Sequence, residues 1–326
     1  MTHPRWAAPG QRPVALVLRA LGLGDLLAGV PALRGVRRAL PEHRLVLATS
    51  PGYKSLIGLI GGVDEVLVTH ELDPLPVPPG VVDVAVDLHG KGPRSQPVLQ
   101  ALRPRRLVAF TCPEVGVEGP RWRADEHEVR RWCRLVGESF GLQVETTDLL
   151  LSAPDATPIE AGAVVLHPGA AYAARRWPAE RWATVARALI GDGHRILVTG
   201  SADERGLALR IAEQAGLHRD AVVAGRTDTG ALAALVASSR LVLSGDTGVA
   251  HLASAFGVAS VVLFGPIPPR WWGPPESGPH VALWHGDGVG DPWGSQPDPA
   301  LLRIDVDEVV AHARASLARQ STGVSA

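Results

Sequence analysis

Lysine is almost missing from this chain: Lys54 and Lys91 are the only two among 326 residues, and arginine carries nearly all the positive charge. That bias reads as a habit of genome composition rather than a functional signal. With Lys+Arg 32 against Asp+Glu 33, a formal net charge of −1 and charges balanced in both halves, no basic field exists to attract a nucleic acid. No nucleic-acid partner is therefore expected. The two cysteines, Cys112 and Cys133, are too few and too far apart for a disulfide framework or a cysteine-based metal site, which fits a reducing, cytoplasmic setting. No run of about 18 apolar residues occurs, so no membrane-spanning helix is expected. The start, "MTHPRWAAPGQRPVALVLRALGLGD", has no lysine-rich opening, and Arg19 and Asp25 interrupt its apolar stretch, which argues against a signal peptide.

What is present is a 46% hydrophobic, 20% charged chain, the make-up of a soluble globular protein long enough for two domains. Short Val- and Leu-rich runs alternate with helical patterns. In the first half, strands are predicted at 14–18, 44–50, 65–68, 81–88 and 106–110, with helices over 25–40, 53–61, 95–102 and 125–140. Continuous apolar strands separated by helices imply a parallel sheet covered on both faces. Residues 146–162, rich in Pro and small polar side chains, read as a linker. The pattern then restarts, with strands predicted at 163–170, 195–200, 221–225, 241–246 and 259–265. The helices of this half fall at 179–191, 203–216, 228–239 and 247–256, and a closing helix is capped by Asp305. The expected fold class is α/β, with a Rossmann-like domain over 1–150, a second over 151–326, and ligands in the cleft between the carboxyl ends of the two sheets.

Four stretches, "LGLGDLLAGVPALRGVRRALP", "VVLHPGAAYAARRWPAERWATVARAL", "VTGSADE" and "LVLSGDTGVAHLASAFGVASVVLFGP", together resemble the heptosyltransferases, glycosyltransferase family 9. The resemblance runs from residue 14 to about 266, with the blocks in the family's order and spacing. It implies an inverting, metal-independent enzyme of the GT-B type, with two Rossmann-like halves, that moves heptose from an ADP-sugar to lipopolysaccharide core. The C-terminal half would bind the nucleotide-sugar donor. The N-terminal half would present a glycan, lipid-linked or small-molecule acceptor, with peripheral contact to the inner membrane face. No cofactor beyond the donor is implied.

In "GLGDLL" the backbone N–H groups at a helix start favour an anion. A dinucleotide fingerprint would need a glycine where Leu27 stands, and Asp25 would repel a pyrophosphate. The same helix field is expected to lower the pKa of Asp25 and keep it ionised. The resemblance makes Asp25 the general base toward the acceptor hydroxyl and places Gly24 at the donor. The alternative is that Asp25 only caps the helix.

In "HPGAAYAARRWPAERW" the resemblance assigns Arg175 to the donor diphosphate, where a fixed cation stabilises the charge of the departing ADP. It assigns Gly169 and Ala170, with the N–H groups through Tyr172, to the phosphate turn. Ala171 stands where the family often has Ser or Thr. Arg176 reads as the lesser candidate for the diphosphate or as a surface salt-bridging residue, and Trp177 and Trp182 as core and packing residues. In "SGDTGVAH", the N–H groups of Thr247 and Gly248 and the Thr247 hydroxyl suit a phosphate, and Asp246 suits sugar hydroxyls. His251, one turn later, reads either as a phosphate or sugar contact or as a satisfied core residue. Glu204 resembles the family acid that holds the ribose hydroxyls, or else is an ordinary first-turn acid.

Asp305-Val306-Asp307 has the form of a metal motif but sits at a helix start, where capping explains it, and no metal is expected. Trp271 and Trp272 read as stacking residues for adenine or sugar, or as covers of a core edge. The arginines at 34, 37, 38, 103, 105 and 106 either meet an anionic acceptor or form solvated helix faces. A second reading keeps the fold and changes the chemistry to transfer of another sugar, or to its hydrolysis or epimerisation. A third is a non-catalytic nucleotide-binding protein.

Overall fold

The computed structural model describes Trp6 and residues 12–322, so residues 1–5 and 7–11 of the stretch read against a signal peptide lie outside the described residues. The chain divides into two compact units, Met1–Leu151 and Ser152–Ala326.

The first unit is built on a five-stranded parallel sheet of β1 (Val14–Arg19), β2 (Arg44–Thr49), β3 (Glu65–Val68), β4 (Val82–Asp87) and β5 (Arg106–Val108). Their order across the sheet is β3-β2-β1-β4-β5, the Rossmann order. The central strand β1 is buried along its whole length, because helices cover both faces and every side chain must pack. In such a sheet the crevice for a ligand opens where the winding reverses, here between the carboxyl ends of β1 and β4.

The second unit repeats the plan with β6 (Val164–His167), β7 (Ile196–Val198), β8 (Leu241–Gly245), β9 (Ser260–Leu263) and β10 (His280–Leu283), all parallel. The order β10-β9-β8-β6-β7 is the other common doubly wound arrangement, and it reverses between β6 and β8. Trp177 and Trp182 meet edge to face at 5.0 Å and lie in the core of this unit, as their sequence context implied. The α/β class with two Rossmann-like sheets thus holds. No helix among the described residues is long and apolar enough to cross a membrane.

Three elements differ from expectation. The helix predicted over 25–40 is two, Leu23–Ala28 and Val30–Ala39, separated at Gly29. Pro31 accounts for the break, since it has no N–H to donate and its ring would clash with the Leu27 carbonyl in a continuous helix. The strand predicted at 221–225 does not form. A 3-10 turn (Arg219–Ala221) precedes it, and Gly225 at φ +71° turns the chain away, leaving one bridge between Val198 and Val222. The strand β10 forms in a Pro- and Trp-rich stretch where no strand is predicted.

Candidate functional site

In the first unit β1 ends at Arg19, the chain turns through Gly22, and the short helix Leu23–Ala28 starts at the reversal point of the sheet. Gly22 is the N-cap. Asp25 is the third helical residue, and its Oδ2 accepts the Gly22 N–H at 3.2 Å. This is one half of a capping box, because a glycine has no side chain to return the bond. Gly24 occupies the second helical position.

Asp25 is half-buried, and burial pushes its pKa above the ordinary carboxylate range. The charge of Arg19 and the Gly22 N–H oppose the rise, while Glu128 adds to it. The expected lowering by the helix start is therefore overturned: six residues of helix supply a weak field, and desolvation outweighs it. Tyr53 is near enough for the charge of Asp25 to raise its pKa in addition to burial.

Arg19 is wholly buried behind Asp25. Its Nε donates to the Asp25 carbonyl and one terminal nitrogen to the Leu88 carbonyl beyond β4. The other terminal nitrogen is 3.6 Å from Glu128 Oε1, and the guanidinium lies 4.9 Å from the centre of the Trp132 ring. At the end of β4, Asp87 accepts from the Ser95 hydroxyl at 2.7 Å, and burial raises its pKa to about 6. His89 Nδ1 accepts the Ala20 N–H at 3.3 Å, and burial followed by Arg19 and Arg94 lowers its pKa to about 4, so it is neutral.

In the second unit the predicted donor residues flank the reversal between β6 and β8. After β6 come Gly169 and Ala170, then a 3-10 turn (Ala173–Arg175) and the helix Ala179–Gly191. Among the described residues Arg176 forms no salt bridge. Its Nε donates to the Ala170 carbonyl at 2.7 Å and holds the loop in shape. Ala174 is braced from residues 286–298, accepting from Asp298 N–H and donating to the Gly294 carbonyl, both at 3.1 Å. Arg175 between them has a buried Nε without a hydrogen-bond partner among the described residues, and its guanidinium lies 5.8 Å from the Tyr172 ring.

After β8, Asp246 is buried and Thr247 is the N-cap of the helix Gly248–Ala255. Thr247 makes no side-chain cap bond, and its hydroxyl is buried and unpartnered among the described residues, as is that of Ser244. Unpaired buried hydroxyls beside the first N–H groups of a helix form a cradle for an anion. The β6 and β8 loops meet here, since a Cβ on Gly245 would stand 3.0 Å from the Arg175 carbonyl.

Glu204 is the N-cap of the helix Arg205–Ala215, and its Oε2 accepts the Ser201 N–H at 2.8 Å. Its carboxylate lies directly over Gly169, where a Cβ would be 2.2 Å from Oε1. Nearby His167 shares a 2.9 Å hydrogen bond with the Thr199 hydroxyl, and burial lowers its pKa against the charge of Glu204. His251 meets Trp272 edge to face at 5.8 Å, and Trp272 also packs on the cluster of Ala250, Val262 and Phe264. Trp271 lies under the Arg270 guanidinium at 5.1 Å.

The structure thus places Gly169, Ala170, Arg175, Glu204, Asp246 and Thr247 on the connections that follow β6, β7 and β8 of the second unit, with Gly248 and His251 in the helix after β8, whereas Asp25 and Gly24 belong to the first. Several N-terminal arginines have partners within the chain, with Arg38 and Arg105 still exposed to solvent. Arg34 donates to the Ile60 carbonyl, Arg34 and Arg38 pair with Asp148, Arg37 with Asp64, Arg105 with Asp83, and Arg106 covers Phe140. Asp305 Oδ1 accepts the Val306 N–H at 2.8 Å at the start of the closing helix, and no cluster suited to a metal occurs among the described residues. Sequence reasoning missed Arg19 with Glu128 and Trp132, and also Tyr53, His89 and His167. Only Arg19 left a signal, a charge closing an otherwise apolar strand just before a glycine turn.

Each doubly wound sheet thus brings candidate residues to its own reversal point, a half-buried carboxylate in the first unit and, in the second, polar groups that are buried and unpaired among the described residues beside a helix start. The sequence profile of glycosyltransferase family 9 (heptosyltransferase) matches residues 120–284, just over half of the chain, and the chain belongs to that family. Asp25 lies outside the matched segment.

Lipopolysaccharide heptosyltransferase 1 of Pseudomonas aeruginosa is 37% identical over 120 residues, 36% of this chain and 33% of that protein. Lipopolysaccharide heptosyltransferase 2 of Escherichia coli is 32% identical over 113 residues, 33% of this chain and 32% of that protein. The matches therefore span about a third of the length of these curated relatives. Among solved structures, E. coli ADP-heptose lps heptosyltransferase II superposes with a TM-score of 0.75 at 18% identity, covering 94% of this chain and 99% of the other. E. coli heptosyltransferase WaaC with ADP-2-deoxy-2-fluoro heptose gives 0.69 at 18% identity over 92% and 99%. At such identity these two establish the fold.

Proposed function

We propose that this chain is an inverting, metal-independent glycosyltransferase of the cytoplasm that moves heptose from ADP-heptose to a hydroxyl of a lipopolysaccharide-type acceptor. The observation that carries the reading is the pair of buried groups at one reversal point that have no partner among the described residues, Arg175 Nε and the Thr247 hydroxyl, beside the N-terminus of the helix Gly248–Ala255. A diphosphate has the charge and the acceptor atoms to satisfy both. Heptose, ADP and lipopolysaccharide come from what the related proteins are named for.

In this reading Asp25 takes the proton of the acceptor hydroxyl as its oxygen attacks the anomeric carbon. The bond from that carbon to the diphosphate oxygen breaks on the opposite face, and configuration inverts in a single displacement. Arg175 and the N–H groups of Thr247 and Gly248 take up the charge growing on ADP. Glu204 holds the ribose hydroxyls, Asp246 the sugar, and His251 the sugar or a phosphate. Because protein groups supply this positive charge, a divalent ion is not required.

Calorimetry with ADP and AMP tests the donor half. ADP is expected to bind at least about tenfold more tightly, since AMP cannot engage both Arg175 and the Thr247 turn. EDTA is expected to change neither affinity. Equal affinities would remove the diphosphate clamp, and a chelator-sensitive affinity would overturn the metal-free mechanism.

A further inference from the structure

A fully buried arginine is expensive to desolvate, and packing alone does not explain one at the end of the central strand. Arg19 ties together four elements: β1, the helix Leu23–Ala28 through the Asp25 carbonyl, the end of β4 through the Leu88 carbonyl, and the helix Glu128–Phe140 through Glu128 and Trp132. The space it occupies is reserved for it, because a Cβ on Gly29 would come within 2.6 Å of its Nε. Glu128 is equally fixed. Trp132 Nε1 donates to its Oε1 at 2.6 Å, and Arg131 donates to its Oε2.

From this geometry we infer that Arg19 and Glu128 are positioning residues for Asp25: Arg19 anchors the turn from which the carboxylate projects, and the two buried charges act on it with opposite sign. The inference rests on Asp25 being the base. The groups facing Asp25 are Arg19 from β1, Glu128 from its helix, the Gly22 N–H from its own turn and Tyr53 from the loop after β2, while Asp87 from β4 lies beside Arg19 and His89 is held against Ala20. The directions agree with the geometry, Arg19 favouring the ionised carboxylate and Glu128 opposing it. Burial of a carboxylate in this turn favours its protonated form, which opposes its use as a base. The arginine offsets this, and the glutamate keeps Asp25 basic enough to accept a proton from a hydroxyl.

The test is the titration of the Asp25 carboxyl carbon followed by NMR in the intact chain, with its resonance assigned by loss in Asp25→Asn. Arg19→Met is expected to move the midpoint up by about one pH unit or more, and Glu128→Gln to move it down. The double variant, which removes both of the charges that act on Asp25, is expected to return toward the wild-type midpoint and keeps the test open if Arg19→Met fails to fold. The acid limb of the rate with ADP-heptose and heptose-deficient lipopolysaccharide should shift in the same directions. Midpoints that stay put, or that move the same way in both single variants, would reduce Arg19 and Glu128 to structural residues. Transfer surviving in Asp25→Asn would instead remove the base assignment, an outcome the titration does not depend on.

Discussion

Replacing Gly169 by alanine probes the donor site through a single contact. The three nearest heavy atoms to the added Cβ all belong to the Glu204 carboxylate, at 2.2, 2.2 and 2.5 Å. To reach ordinary contact at 3.4 Å the carboxylate must retreat by about 1.2 Å, which breaks its 2.8 Å bond from the Ser201 N–H. The glutamate is the free end of a flexible side chain, so the backbone need not move. Stability should change little, because lower entropy of the unfolded chain, about 0.4–1 kcal/mol, offsets one lost hydrogen bond of about 0.5–1.5 kcal/mol. Affinity should suffer far more. A hydrogen bond between a carboxylate and a ribose hydroxyl contributes about 1.5–3 kcal/mol, so ADP should bind roughly 10- to 100-fold more weakly by calorimetry. Glu204→Ala should weaken binding by a similar factor, and the double variant should be no worse than Glu204→Ala alone. Wild-type affinity in Gly169→Ala would refute the role of Glu204. A fresh loss on adding Gly169→Ala to Glu204→Ala would show that the glycine acts through its own backbone.

Arg175→Ala should lose roughly 10- to 100-fold in kcat, because charge grows on the leaving diphosphate and the cation is worth most in the transition state. A rise in KM alone, measured by steady-state kinetics, would make Arg175 a ground-state binder. His280, bonded through Nδ1 to the Ser260 hydroxyl at 3.0 Å, has its pKa lowered by burial from 6.5 to about 4. The unfolded chain therefore takes up this proton first, and its contribution to stability is present above pH 6.5 and is lost as pH falls toward 4. Urea unfolding of His280→Asn should be less pH-dependent in that window than wild type, and an unchanged slope would show that His280 does not titrate this way.

The elements legible in the sequence were those whose cause is local. The runs Val14–Arg19 and Arg44–Thr49 are apolar enough to demand burial on both faces, and each forms a strand. Local signals failed where one residue overrode a pattern: Pro31 split a helix, Gly225 ended a would-be strand, and β10 hid among prolines because it is an edge strand recruited by β9. The turns after β6 and β8 could be singled out as anion-site candidates because N–H groups at a helix start follow from a few consecutive residues. The surroundings of Asp25 could not, since Glu128 and Trp132 are remote in sequence and only the sheet brings them to Arg19. The direction of the Asp25 pKa was misjudged for the same reason, because burial is a property of the assembled unit.

The most direct test of the account is the rate of ADP release from ADP-heptose in the presence of heptose-deficient lipopolysaccharide, compared between wild type and Asp25→Asn. Asparagine preserves the side chain's shape, so folding and ADP affinity should be unchanged. Wild type should turn over in an acceptor-dependent way, and Asp25→Asn should be slower by about 10²- to 10⁴-fold. Near wild-type release from Asp25→Asn under these conditions would contradict the assignment of Asp25 as the base and the mechanism built on it.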